Sequence, residues 1–174
     1  MTFVRPRTPD DLDACVEVLQ NVYNKDGYPV QGTANAHAFL TTPSTEAAWV
    51  AETETEHAKT IIGHIAVNTA DPSDPSAKLW RTQHPDDGDE AIAILKRLFV
   101  HPEYRGKGVA VELVRAAELW VEDMGRKLVL FALMKDEGAM RLYRRCGWVE
   151  FGRAEFCWGE EERMEAVCFV SPGV

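Results

Sequence analysis

One stretch restricts this chain more than any other. Residues 91–100 read as an apolar strand that runs straight through His101-Pro-Glu-Tyr-Arg-Gly-Lys-Gly into a helix over residues 108–124. That helix sets Val109, Leu113, Ala116, Ala117, Trp120 and Met124 on one face, and Gly125 stops it. Residues 128–133 follow as a short buried strand, so a strand–helix–strand crossover is expected here. Two glycines in the turn between strand and helix allow positive φ and close approach of a ligand to the backbone. The first amides of the helix have no intrahelical partner, and the helix dipole favours negative charge beside them.

The remaining pattern surrounds this unit. Residues 1–7 alternate enough for a short strand. Thr8-Pro9-Asp10-Asp11 then signals a helix start, followed by Leu12, Val16, Leu19 and Tyr23 at helical spacing. A second short helix is expected over residues 34–40, and strands over 47–52 and 60–67 joined by a polar turn. A helix over 137–146, closed by Gly147, precedes two final strands at 148–156 and 165–170. Between residues 71 and 90 periodicity collapses into Asp-Pro-Ser-Asp-Pro-Ser and Gln-His-Pro-Asp-Asp-Gly-Asp-Glu, which reads as a long insertion loop. The expected class is α+β (mixed α/β), with one domain over residues 1–174, a length that suits one substantial core.

Charge narrows the partners. Nineteen Lys and Arg against 28 Asp and Glu give a net charge of -9, which repels duplex nucleic acid and tolerates cationic partners such as amines. No apolar run approaches the roughly 20 residues of a membrane-spanning helix. The opening Met1-Thr-Phe-Val-Arg-Pro-Arg lacks the apolar stretch of a secretory signal, so a soluble, cytoplasmic protein is expected. Cys15, Cys146, Cys157 and Cys168 show neither a Cys-x-x-Cys pair nor a His at zinc-ligand spacing, so they are read as free thiols and no metal is expected.

Within this acidic chain Lys96, Arg97, Arg105 and Lys107 form a basic island around the glycine turn. An anionic ligand is the economical explanation, and a plain tight turn with solvated charges is the alternative. Two phosphate motifs fail. The third glycine of the dinucleotide fingerprint is missing after Gly106-Lys-Gly108, and no Ser or Thr follows Lys107 as the Walker pattern requires.

The wider pattern is more specific. Arg105-Gly-Lys-Gly108-Val-Ala110, directly after a strand, resembles the core signature of the GNAT superfamily of acetyl-CoA-dependent N-acyltransferases. The preceding Ala93-Ile-Leu-Lys-Arg-Leu-Phe-Val100-His-Pro-Glu-Tyr is similar to that family's fourth strand. Asp136-Glu-Gly-Ala-Met-Arg-Leu-Tyr143-Arg-Arg-Cys-Gly147-Trp148 is similar to its next block. The likeness is sharp from residue 93 to about residue 152.

The resemblance implies a GNAT fold, with a central mixed, mostly antiparallel sheet of about six to seven strands flanked by helices. It implies acetyl-CoA or coenzyme A as the bound nucleotide. Amides of Arg105, Gly106, Lys107, Gly108, Val109 and Ala110 would hold its pyrophosphate. Backbone near Leu98 and Val100 would pair with pantetheine as a sheet edge accepts a strand. An amide of Leu98 or Phe99 would polarise the acetyl carbonyl. Asp136 stands where the family usually has Asn, and a carboxylate cannot donate the hydrogen bond an amide would.

The resemblance also names Tyr143 as general acid, the alternative being a helix-face aromatic whose hydroxyl is merely satisfied. A phenol near pKa 10 stays protonated at neutral pH and can serve a leaving thiolate whose thiol lies near 8.5. No base stands out. Some relatives carry Glu on the fourth strand, where this chain has Ile94. Asp86, Asp87, Asp89 and Glu90 could draw a cationic amine or relay its proton, or form a solvated loop; His64 and His101 are further candidates for the base, with a structural part as the favoured reading of each. Trp80, in the expected loop, could line the acceptor site or cover the core edge. The expected activity is transfer of acetyl to a primary amine of a small molecule or peptide by direct attack. Transfer of a larger acyl group, and coenzyme A binding without turnover, are the alternatives. Nucleic acid and membrane are not expected partners, and the resemblance allows a homodimer.

Overall fold

The computed structural model describes residues 1–173. Seven strands form one sheet in the order β1-β2-β3-β4-β5-β7-β6. They are β1 (Thr2–Pro6), β2 (Thr45–Glu54), β3 (Lys59–Thr69), β4 (Ile92–Val100), β5 (Lys127–Leu133), β6 (Val149–Trp158) and β7 (Glu162–Val170). The helices are α1 (Leu12–Asp26), α2 (Ala36–Leu40), α3 (Pro75–Gln83), α4 (Val109–Glu122) and α5 (Glu137–Arg145). The crossover through α4 makes β4 and β5 parallel, while β1 with β2, β5 with β7, and β6 with β7 are antiparallel. The mixed, mostly antiparallel sheet flanked by helices is therefore as expected.

By contact the chain divides into two compact units, Met1–Val67 with Lys96–Ala117 and Asn68–Leu95 with Glu118–Val174, and β4 contributes to both. In the first unit, α1 follows a 3-10 turn at Pro9–Asp11. Both the amide and the hydroxyl of Thr8 donate to the Asp11 carboxylate, at 2.7 and 3.1 Å. Asp11 also receives both arms of the Arg5 guanidinium, at 2.8 and 2.9 Å. The helix buries Cys15, Val18, Leu19 and Val22 against Ala36, Leu40, Val50, Ile61 and Phe99. The expected face is thus rotated, with Val16 at its margin and Tyr23 37% exposed. Packing against α2, β2 and β3 selects this face, with Leu12 and Val16 partly buried beside it.

The second unit holds the main departure. Residues 71–90, expected as a loop, contain the nine-residue helix α3. Asp74 caps it, accepting from the amides of Ser76 (2.9 Å) and Ala77 (3.1 Å), and Pro75 occupies the first turn. Ala77 and Trp80 pack with Ile92, Ile94 and Val129. The helix lies so close to β6 that a side-chain carbon at Gly152 would come within 2.7 Å of Leu79. Gly152 also marks a register irregularity in the β6–β7 ladder. Further along that ladder Glu155 faces Glu165. Each takes a diagonal arginine instead: Arg163 to Glu155 at 3.4 Å and Arg153 to Glu165 at 3.3 Å.

The inner face of α4 carries Val109, Leu113 and Ala117 as expected, joined by Val114, Glu118 and Val121. Met124 lies past the helix end and is 48% exposed, and Trp120 and Ala116 are half-buried.

Candidate active site

In the first unit, strand β4 is not regular. Arg97 has φ 59, a left-handed conformation that an L side chain rarely takes. Registered pairing with β5 covers Ile92, Ala93 and Ile94 only. The distortion is held from two sides. The Arg97 carbonyl lies 2.8 Å from Nδ1 of His64, and Nε2 of the same ring lies 2.9 Å from the Arg7 guanidinium. Arg7 also donates to the Leu40 carbonyl at 2.8 Å. The Arg97 side chain turns onto α2, with its guanidinium 3.6 Å over the Phe39 ring and its Nε donating to the Phe39 carbonyl at 3.0 Å.

Beyond β4 the chain makes a 3-10 turn, Pro102–Tyr104, capped by His101, whose Nδ1 accepts from the Glu103 amide at 3.2 Å. This is the structural part foreseen for His101. Gly106 and Gly108 then take φ 75 and 81, and open space surrounds the place where a side chain would begin at either. Helix α4 starts at Val109. Arg105 through Gly108 are exposed, Ala110 is half-buried and Val109 is buried. Two departures to positive φ, with Lys107 between them, stand at the mouth of a 14-residue helix in a turn that glycine permits, and the Arg105 amide donates to the Pro102 carbonyl at 3.4 Å.

The basic island divides on closer view. Arg105 forms an ion pair with Asp26 and donates to the Val100 carbonyl at 3.3 Å. Arg97 is turned onto Phe39, and Lys107 lies 5.2 Å over the Tyr104 ring. The Arg105 and Arg97 side chains thus serve to hold the turn and the strand. Of the three β4 positions singled out, Leu98 is half-buried, while Phe99 and Val100 are buried. Phe99 stacks on the His64 ring with centroids 5.1 Å apart.

In the second unit, Tyr143 sits on α5, buried against Trp148 (ring centroids 5.4 Å) and Phe169 (5.9 Å). Asp136 stands at the N-terminus of α5, its amide donating to the Leu133 carbonyl at 2.8 Å and its carboxylate 3.6 Å from Lys135. Trp80 is part of the core. It is 7% exposed, stacks on His84 at 3.8 Å, meets Phe151 edge-on, and donates from Nε1 to Asp87 at 3.0 Å. Of the two readings open to Trp80, the structure supports the core one. Asp89 lies 3.5 Å from Arg81, and Asp86, Asp87, Asp89 and Glu90 are all exposed. Ile94 is packed with Ala77 and Trp80. The thiols of Cys15 and Cys168 are buried, and burial pushes both up to about 12.

The seven-stranded mixed sheet and its order of elements are those of the GNAT fold. The chain belongs to the acetyltransferase (GNAT) family of N-acetyltransferases, whose family model matches residues 15–148. A curated relative, the uncharacterized N-acetyltransferase MJ1207 of Methanocaldococcus jannaschii, is 32% identical over 60 residues. That match covers 34% of this chain and 26% of the relative's length. Two solved structures share the fold. Arabidopsis thaliana NAA60 in complex with acetyl-CoA has a TM-score of 0.71 at 17% identity, covering 98% of this chain and 97% of that one. The ribosomal-protein-S18-alanine N-acetyltransferase of Escherichia coli has a TM-score of 0.68 at 15% identity, covering 99% and 94%.

Proposed function

We propose that this protein transfers the acetyl group of acetyl-CoA to a primary amine by direct attack in a complex holding both substrates. One observation carries the reading. In a member of this family, β4 leads into a turn with two left-handed glycines that opens α4, a backbone suited to a pyrophosphate. In this reading the amides from Arg105 to Ala110 bind the pyrophosphate, and the β4 edge from Leu98 to Val100 pairs with pantetheine.

The neutral amine attacks the thioester carbonyl carbon, and the charge that gathers on oxygen is met by an amide of Leu98 or Phe99. The carbon–sulfur bond then breaks. Tyr143 gives its phenolic proton to the departing thiolate and recovers one from water. The amine's own proton leaves through water, since Ile94 occupies the strand position where some relatives carry Glu and is packed in the core. The buried thiols of Cys15 and Cys168, pushed up to about 12, are poor nucleophiles, and neither suits a cysteine acyl-enzyme. The acidic chain suits an acceptor that is cationic before it reacts.

Ile94 and Asp136 favour a second reading, coenzyme A binding without turnover. Isothermal titration of acetyl-CoA into the wild type and into Gly108→Glu tests the common part. The wild type binds; the variant, folded by circular dichroism, does not, because a carboxylate and a strained backbone replace the left-handed glycine. Absence of wild-type binding removes both readings. Release of free thiol over a panel of primary amines then separates enzyme from binder. Tyr143→Phe should lower that turnover on the order of 100-fold with coenzyme affinity unchanged, and unaltered turnover removes Tyr143 as the acid.

A further inference from the structure

His64 is fully buried on β3, at 0% exposure, and no step described so far uses it. Its two ring nitrogens face partners of fixed character. The Arg97 carbonyl can only accept, and the Arg7 guanidinium can only donate. One state of the ring satisfies both: neutral imidazole with the proton on Nδ1 and a bare Nε2. The proton on Nδ1 therefore fixes the Arg97 carbonyl, at the single position in β4 where the backbone is left-handed.

That carbonyl shares its peptide unit with the amide N–H of Leu98. The only cis peptide among the described residues is Tyr28–Pro29, so the 97–98 peptide is trans. In a trans peptide the carbonyl and the N–H point in opposite directions. Fixing the Arg97 oxygen against the His64 ring therefore fixes the Leu98 N–H pointing away from it. Three further contacts keep the ring from turning. Phe99 stacks on one face, Arg7 holds Nε2, and Arg7 is itself anchored on the Leu40 carbonyl. A donor needs such preorganisation to serve developing charge without reorganising at the moment of reaction.

We propose that His64 is a positioning residue for acetyl transfer: through its Nδ1–H bond to the Arg97 carbonyl it aims the Leu98 amide N–H at the acetyl carbonyl oxygen. The proposal rests on the reading above and decides between its two candidate amides in favour of Leu98. It also gives the left-handed Arg97 a purpose, since the distortion reorients a single peptide unit within an otherwise extended strand.

The two amide side chains divide the functions of the ring. Asparagine brings an N–H close to the place of Nδ1, and glutamine brings its amide out to the place of Nε2. The probe is acetyl-CoA labelled with carbon-13 at the carbonyl, read by isotope-edited infrared spectroscopy of the bound thioester, which needs no knowledge of the acceptor. In the wild type the carbonyl stretch moves to lower wavenumber than in free acetyl-CoA. His64→Asn keeps that shift, and His64→Gln loses it while still binding coenzyme A. Retention of the shift in His64→Gln, its loss in both variants, or its absence in the wild type overturns the proposal. Failure of the wild type to bind acetyl-CoA overturns instead the functional reading beneath it. Nitrogen-15 shifts of the wild-type ring provide a check that no folding defect can obscure: an Nε2–H tautomer for His64 overturns the assignment outright.

Discussion

The His64 ring lies between the Arg7 guanidinium and the Arg97 carbonyl, and burial holds its pKa down at about 4 against an ordinary 6.5. The charges of Arg7 and Arg97 push in the same direction, and the hydrogen bond to the Arg97 carbonyl opposes them. An unfolded chain takes up this proton near pH 6.5 and the folded one only near 4. Stability is therefore complete above pH 6.5 and falls as pH drops toward 4, by up to roughly 3 kcal/mol. Asp11, held down at about 2 first by its hydrogen bonds to Arg5, adds a second loss as pH falls from 3.8 toward 2. Urea midpoints between pH 7 and 4.5 should fall steeply in the wild type and little in His64→Asn; equal slopes would show that His64 does not titrate this way. None of this was legible in the sequence. A histidine in an apolar strand could be called structural, but only the fold brings Arg7 and the bent part of β4 to its two nitrogens.

Among the elements, those with a repeat were legible and those held by a cap were not. Strands with runs such as Ile-Ile-Gly-His-Ile-Ala-Val and a 14-residue amphipathic helix announce themselves through period. Helix α3 turns only Ser76, Ala77 and Trp80 inward over nine residues, too short a span for periodicity to emerge among prolines and aspartates. Its start was nonetheless written in Asp74-Pro75, a capping residue followed by proline as in Thr8-Pro9. Because that cap satisfies two amides in a buried position, Asp74→Ala should cost about 1–2 kcal/mol. Differential scanning calorimetry would register this as a melting point several degrees lower; an unchanged melting point would mean that packing around Trp80 alone holds the helix. The bend at Arg97 has no counterpart in the sequence, where Lys96 and Arg97 read as neighbours of a phosphate site. The glycine turn did, because two glycines at a strand–helix junction allow the positive φ found at both.

On the scale of the whole molecule, the order of elements along the chain was enough for the mixed α and β class, and the family was legible in the blocks around Arg105-Gly-Lys-Gly108 and Tyr143. The lateral order of strands was not readable, since alternation tells which side of a strand is buried and not which strand lies beside it. That lateral order leaves β1 and β6 at the margins of the sheet. The first is five residues long and ends in Pro6; the second is broken at Gly152 and carries Glu150, Arg153 and Glu155 along its length. A foreign strand laid along either margin would meet a missing donor, a kink or a charge rather than a straight ladder. As a building material the sheet is finite: concentrating the protein crowds its molecules together without offering them a seam along which to grow into fibres.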